Sequence, residues 1–166
     1  MHVGRDSHLV QLPYSLETGA SLGIGEAGGC EQLCTVLRTC AEFGNACPKA
    51  QFWALGALAN LMLCSQNRPR IVGGEGLEQT GLAGWIHTVL TNSDKVIQDR
   101  DVQYAGIACV RELGAAGPRI AAVLRSSGVS SLISKALEMF GETDEELRRQ
   151  ADTAMRYVEY AGEELH

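Results

Sequence analysis

The 166 residues of the chain are enough for one domain with a sizeable core. The formal net charge of −6 gives no general electrostatic support for binding nucleic acid. No apolar run approaches the roughly 20 residues of a membrane span. We therefore expect a protein that binds neither nucleic acid nor membrane and is cytoplasmic, with the nucleus as the alternative compartment.

Residues 1–21 resemble no later part of the chain. Their opening, MHVGRDSHLV, lacks the apolar core of a signal peptide. Leu9, Val10, Leu12 and Leu16 are apolar and could fold over the first structural unit that follows. We interpret this segment as an N-terminal cap.

The next stretch, GIGEAGG, places Gly23, Gly25 and Gly28 at the G-x-G-x-x-G spacing of a dinucleotide-binding turn. That turn holds a pyrophosphate at a helix N-terminus and needs a buried strand before the glycines. The preceding residues, LPYSLETGASL, contain a proline and a glycine and no β-branched run. We interpret the glycines as a turn between helices and expect no cofactor.

From there on, apolar residues recur at three- and four-residue steps, as they do in amphipathic helices. The runs are EQLCTVLRTCAEF, AQFWALGALANLML, VQYAGIACVREL, VSSLISKALEMF and EELRRQADTAMRYVEYA. The last run begins after GETD, where Thr143 or Asp144 is a suitable N-cap. Strand signals are almost absent and aromatic residues make up only 5%, so the chain is predicted to be all-α.

Two landmarks recur at intervals of 45 to 52 residues. The first is a glycine followed by an apolar residue, at Gly29, Gly76 and Gly128. The second lies one helix later, in the stretches ALGALANL, GIACVREL and ADTAMRYV. Recurrence at such a period indicates a helical solenoid.

ALGALANL is very similar to the third-helix signature of armadillo repeats. RIVGGEGLEQ resembles the first helix, the glycine turn and the start of the second helix of such a repeat. The resemblance covers about Leu22 to Ala161 and implies a right-handed α-solenoid of about three three-helix repeats. These repeats are residues 22–64, 65–116 and 117–162, followed by a tail of residues 163–166.

The resemblance places Gly28, Gly29, Gly76 and Gly128 at the turns between first and second helices, where glycine reaches positive φ without steric cost. The second repeat is longer than the others. We expect its additional residues in its second helix or in the exposed loop TNSDKVIQDRD. An alternative register places Gly81 at the turn instead of Gly76.

In the armadillo family, third helices line a concave groove that binds extended peptides or partner helices. The resemblance implies a partner-binding groove formed by three residues of each third helix: Trp53, Gly56 and Asn60; Ala105, Ala108 and Glu112; Gln150, Thr153 and Tyr157. Packing of Trp53 against the neighbouring third helix remains an alternative to its exposure in the groove. For Glu112, the alternative is a solvated residue beside Arg111.

Importin-α-like relatives carry a tryptophan and an asparagine one turn apart along this groove. Asn60 matches the asparagine, but Gly56 stands at the tryptophan position. We therefore do not expect binding of a basic nuclear-localisation signal. Trp85 is expected to be buried between repeats, and Arg68, Arg70 and Arg100 are expected to be solvated.

The sequence contains no recognisable catalytic or metal-binding set. The six cysteines include no C-x-x-C pair, and we interpret them as small buried apolar residues in a reducing compartment. The four histidines are scattered, and no nucleophile, base and orienting group occur at a known spacing. We expect no enzymatic activity and no metal.

The leading hypothesis is a non-enzymatic adaptor or scaffold that binds a partner peptide or helix in the third-helix groove. One alternative is an armadillo-type chaperone cofactor that clasps a folded ATPase domain. Another is a fragment of a larger armadillo protein such as a transport adaptor. Because terminal repeats leave faces unfilled, end-to-end homo-oligomers are a further expectation.

Overall fold

The computed structural model describes residues 14–42, 46–73 and 80–160, with side chains from residue 19 onward. All regular structure in these ranges is helical, so the all-α prediction is confirmed. The helices are α1 (Tyr14–Glu26), α2 (Gly29–Glu42), α3 (Pro48–Leu61), α4 (Arg68–Val72), α5 (Leu82–Thr91), α6 (Asp94–Ile97), α7 (Arg100–Ala115), α8 (Pro118–Ser126), α9 (Val129–Phe140) and α10 (Glu145–Tyr160).

Local chemistry explains where several helices begin. A proline lies in the first turn of α3, α4 and α8, where no backbone N–H donor is needed. The Asp99 carboxylate accepts a bond from the Val102 N–H at 3.0 Å and caps α7. Asp144, one of the two predicted caps, accepts a bond from the Leu147 N–H at 2.9 Å at the start of α10.

Two of the predicted glycine turns are confirmed. Gly28 separates α1 from α2 with φ +88°, and Gly128 separates α8 from α9 with φ +87°. Gly23 and Gly25 lie inside α1, so the residues directly before the G-x-G-x-x-G spacing, from Tyr14 onward, form a helix and not a strand. Gly76 falls outside the described residues.

The helix bounds differ from the predicted repeat boundaries in two places. α1 begins at Tyr14, so the boundary between residues 21 and 22 falls inside a helix. α5 begins at Leu82, directly after Gly81. Counted from Gly76, the additional residues of the predicted second repeat therefore precede α5, contrary to our expectation. The loop expected to be exposed contains α6, where Val96 is fully buried.

The core is continuous and lies mainly between the helices predicted as second and third helices, with Ile71 of α4 and Leu124 of α8 also part of it. α7 packs against both α3 and α10, while α2 packs on α3 and α9 packs on α10. The largest fully buried side chains of the core include Leu37, Leu55, Leu58, Ile86, Ile107, Leu113, Leu124 and Ile133. The three predicted third helices are therefore adjacent in chain order.

Candidate interaction surface

The nine predicted groove residues lie on α3, α7 and α10, and we call this set the third-helix face. Its members differ widely in exposure. Trp53 is 66% exposed and Tyr157 is 41% exposed. Gly56, Asn60 and Thr153 are half-buried. Ala105, Ala108, Glu112 and Gln150 are buried, so only part of the face is open to a ligand in this structure.

The α3 part of this face is open. The Trp53 ring meets the Phe52 ring edge-on, with centroids 5.1 Å apart, and most of Trp53 remains in contact with solvent. A Cβ atom added to Gly56 would meet no heavy atom within 4 Å. The Asn60 side chain has no hydrogen-bond partner in the described part of the chain. This part of the face combines a large apolar surface, free space and an available amide.

Polar groups cross from α7 to α10 in the other part of the face. Arg111 Nη1 donates to Gln150 Oε1 at 2.6 Å, and Arg111 Nη2 donates to Glu112 Oε1 at 2.9 Å. Glu112 is only 8% exposed, so the alternative of a solvated residue is wrong. The guanidinium stabilises the buried carboxylate and uses hydrogen-bonding capacity that a ligand would need.

A second polar cluster lies where α7 and α10 begin. Arg100 donates to Asp144 and pairs with Asp101 at 3.2 Å. Its guanidinium carbon lies 4.5 Å from the centroid of the Tyr104 ring, and the Tyr104 hydroxyl donates to Glu146 Oε1 at 2.8 Å. The expectation that Arg100 is solvated was wrong.

These contacts change the acidity of the groups involved. The hydrogen bond from Arg100 lowers the pKa of Asp144, and this effect outweighs the opposing effect of burial. Burial and the bond to Glu146 raise the pKa of Tyr104. Burial alone would lower the pKa of Arg100, but its bonds to Asp144 and Asp101 raise it. The cluster is a set of charge-assisted bonds that hold α7 against α10.

Gly114 brings the backbones of α7 and α10 close together. A Cβ atom added there would lie 2.8 Å from the Tyr157 Cβ and 3.8 Å from its Cα. The contact fixes the position of Tyr157 at the end of the third-helix face. Our sequence interpretation did not identify Gly114, Tyr104 or the bonding role of Arg111. A glycine inside an otherwise helical pattern was the one available signal of close approach.

All six cysteines lie in the described residues and all carry free thiols. Cys30, Cys40, Cys64 and Cys109 are buried, as predicted, and Cys34 is half-buried. Burial raises the pKa of Cys34 to about 11. Cys47 differs from the prediction because it is exposed at the start of α3.

Within the described ranges, no three His, Cys, Asp or Glu side chains are grouped so as to hold a metal ion. The helices described there are all too short or too polar to cross a membrane. No family model, curated protein or solved structure matches the chain. The resemblance to armadillo repeats therefore remains a prediction from the sequence motifs.

Proposed function

We propose that the chain is a non-enzymatic interaction module with an armadillo-like α-solenoid fold, whose third-helix face binds a peptide segment or helix of a partner protein. One observation carries the proposal: a largely exposed Trp53 lies beside the open space at Gly56. Large exposed aromatic side chains on rigid elements are typical anchors of protein interfaces.

Recurring local features support the repeat architecture. Gly28 and Gly128 have nearly the same positive φ at the turn before a predicted second helix. Gln51 and Gln103 are each the fourth residue of a predicted third helix, and both are buried. Their Nε2 atoms both donate to carbonyl oxygens at the end of α5, at 2.9 Å to Val89 and 3.0 Å to Leu90. For Gln51, α5 lies in the following predicted repeat, and for Gln103 it lies in the same one, so only the position of the glutamine recurs and not its partner.

The same geometry indicates which part of the face meets the partner. Glu112 and Gln150 are already bonded to Arg111, and their burial limits direct contact. Trp53 and Asn60 supply an apolar anchor and an amide that can both donate and accept. Ala105 and Ala108 are buried as well, so we propose the main contact on α3.

Affinity capture from cell lysate followed by mass spectrometry tests the proposal. We expect partners of the unmodified chain to be lost with the double variant Trp53→Ala/Asn60→Ala. They should be retained with the matched control Val36→Ala, which alters a 42% exposed apolar residue on α2. Equal retention by both variants would contradict the assignment of the face.

A second step separates the adaptor from the chaperone-cofactor alternative. Overlapping peptides from each captured partner are tested for direct binding by fluorescence polarisation. Binding to one peptide supports an adaptor that recognises a segment or helix. Binding only to an intact folded domain supports the chaperone-cofactor alternative instead.

A further inference from the structure

A cavity of about 270 Å³ lies between α5 and α9, away from the third-helix face. Leu90 of α5 and Leu132 and Ala136 of α9 contribute buried apolar surface to its lining. Ile97 of α6 is half-buried, and Met139 is 42% exposed. We call this cavity the α5–α9 cleft.

The neighbouring pair of predicted second helices, α2 and α5, is arranged differently. Arg38, the tenth residue of α2, lies over the Trp85 ring at 4.9 Å and donates to the Thr80 carbonyl oxygen at 3.0 Å. Trp85 is the fourth residue of α5, and its Nε1 donates to the same oxygen at 3.3 Å. The protein's own side chains therefore link the two helices.

The corresponding positions of the α5–α9 cleft carry Thr91 and Leu132, the tenth residue of α5 and the fourth residue of α9. The Thr91 hydroxyl donates to the His87 carbonyl oxygen of its own helix at 2.7 Å. α2 packs directly on α5, whereas α9 packs mainly on α7, α8 and α10. A cavity of about 270 Å³ also lies between α2 and α5, and Arg38 and Trp85 line it. The α5–α9 cleft has neither an arginine nor a tryptophan at the corresponding positions.

The rim of the cleft carries unused positive and hydrogen-bonding groups. His87 and Lys135 both line the cavity, and neither side chain has a hydrogen bond or ion pair with the described residues. Among the described residues that line the cleft none is acidic, although the chain has a net charge of −6. An apolar interior with a lysine and a histidine at its rim is complementary to an apolar group that has a carboxylate beside it.

We propose that the α5–α9 cleft is a second docking site, which takes one large apolar side chain from an acidic peptide segment of a partner protein. Its volume lies below the roughly 300–1,000 Å³ typical of small-molecule pockets, which favours one inserted side chain over a whole cofactor. Lys135 and the His87 imidazole bind the flanking carboxylates. This site is independent of the third-helix face and does not require the function proposed above.

The test is an NMR titration of the ¹⁵N-labelled chain with a short synthetic peptide that has a central tryptophan flanked by aspartates. We expect shifts of backbone amides around the cleft, including those of Ile97 and Met139, and none at Trp53. One control peptide replaces the tryptophan with alanine, and another replaces the aspartates with lysines. Neither control should reproduce these shifts at the same concentration.

Two variants with the same change of charge test the proposed attraction between Lys135 and the carboxylates of the peptide. Lys135→Glu should weaken binding of the acidic peptide about fivefold or more, because attraction becomes repulsion. Lys49→Glu, at an exposed position on α3, should have less than half that effect. Unchanged amide spectra outside the substituted helix verify that both variants fold.

Four outcomes would overturn the proposal: no shifts at the cleft, shifts centred on the third-helix face, equal binding of the lysine peptide, or equal weakening by both variants.

Discussion

α7 has two long interfaces, one with α3 and one with α10, and their chemistry differs. At the α3 interface, α7 presents the small buried residues Ala105 and Ala108. Across this interface the Cys109 thiol donates a hydrogen bond to the Leu55 carbonyl oxygen. At the α10 interface, Arg100, Tyr104 and Arg111 each bond to a polar side chain of the facing segment.

This difference determines which polar groups are already used by the fold. The polar groups between α7 and α10 satisfy one another, and a ligand would have to break those bonds to use them. On α3, by contrast, Trp53 is largely exposed and the space at Gly56 is open. The polar interface thus holds α10 against α7, whereas the surface that we propose for a partner lies on the exposed side of α3.

Removal of Arg111 should cause the largest loss of stability. Arg111→Ala leaves the buried Glu112 carboxylate without its guanidinium, and we expect the free energy of unfolding to fall by about 3 kcal/mol. Urea denaturation measures the loss. Adding Glu112→Gln should recover part of it, because no buried charge is then left alone. An equal loss in the single and double variants would mean that the ion pair is unimportant.

A matched pair of glycine substitutions compares the α7–α10 interface with the open surface of α3. Gly114→Ala should lower the free energy of unfolding by about 2 kcal/mol, because the new methyl group meets the Tyr157 Cβ at 2.8 Å. Gly56→Ala should raise it by about 0.5–1 kcal/mol, because the methyl group meets nothing and alanine favours a helix. Both values come from thermal or urea unfolding. Changes of the same sign would contradict the difference between a closely packed and an open glycine.

The charge pair between Arg100 and Asp144 should give a smaller effect that depends on pH. Asparagine can still cap α10, so Asp144→Asn mainly removes the charge interaction and should cost about 1 kcal/mol at pH 7. Because the folded protein lowers the pKa of Asp144, its contribution is present above the ordinary carboxyl pKa and is lost as the pH falls through the lowered value.

Urea unfolding of the unmodified protein and of Asp144→Asn between pH 7 and pH 3 measures this dependence. The difference between their free energies of unfolding should narrow below about pH 4. Asp152→Asn, an exposed carboxylate on the same helix, is the control and should produce no comparable gap. A constant gap for Asp144→Asn would show that charge is not its cause.

The smallest effect on stability should come from the residue proposed to matter most for binding. Trp53→Ala should change the free energy of unfolding by no more than about 0.5 kcal/mol, since Trp53 is 66% exposed. Trp85→Ala should cost about 2 kcal/mol, because it removes a half-buried ring and its contacts with Arg38 and Thr80. Similar losses in the two variants would indicate that Trp53 is structural.

Local patterns were enough to predict five of the helices and two of their turns. The apolar period marks α2, α3, α7, α9 and α10, and positive φ at Gly28 and Gly128 is a requirement of a single residue. The period did not mark α1, which begins inside the segment that we interpreted as an N-terminal cap. The start of α5 was harder to predict. Ile71 and Leu77 match apolar positions of the first predicted repeat, and this match favoured Gly76 over Gly81 as the turn before the helix. In the structure α5 begins at Leu82, directly after Gly81, which agrees with the alternative register on this point.

The candidate surface was only partly predictable from one sequence. Helix periodicity places Trp53, Gly56 and Asn60 on one stripe, because that is a property of α3 alone. The burial of Glu112 depends on packing between α7 and α10, and the bond from Arg111 to Gln150 joins residues 39 positions apart. Such a long-range contact leaves no periodic signal in the sequence.

The distribution of the six thiols has a practical consequence for experiments on this protein. Cys47 is the one exposed thiol, whereas the half-buried Cys34 has a pKa of about 11 and would be almost entirely protonated at neutral pH. A brief maleimide reaction should therefore attach a fluorophore mainly at Cys47, six residues before Trp53. The unmodified protein then carries its own attachment point for a dye that reports occupancy of the α3 surface.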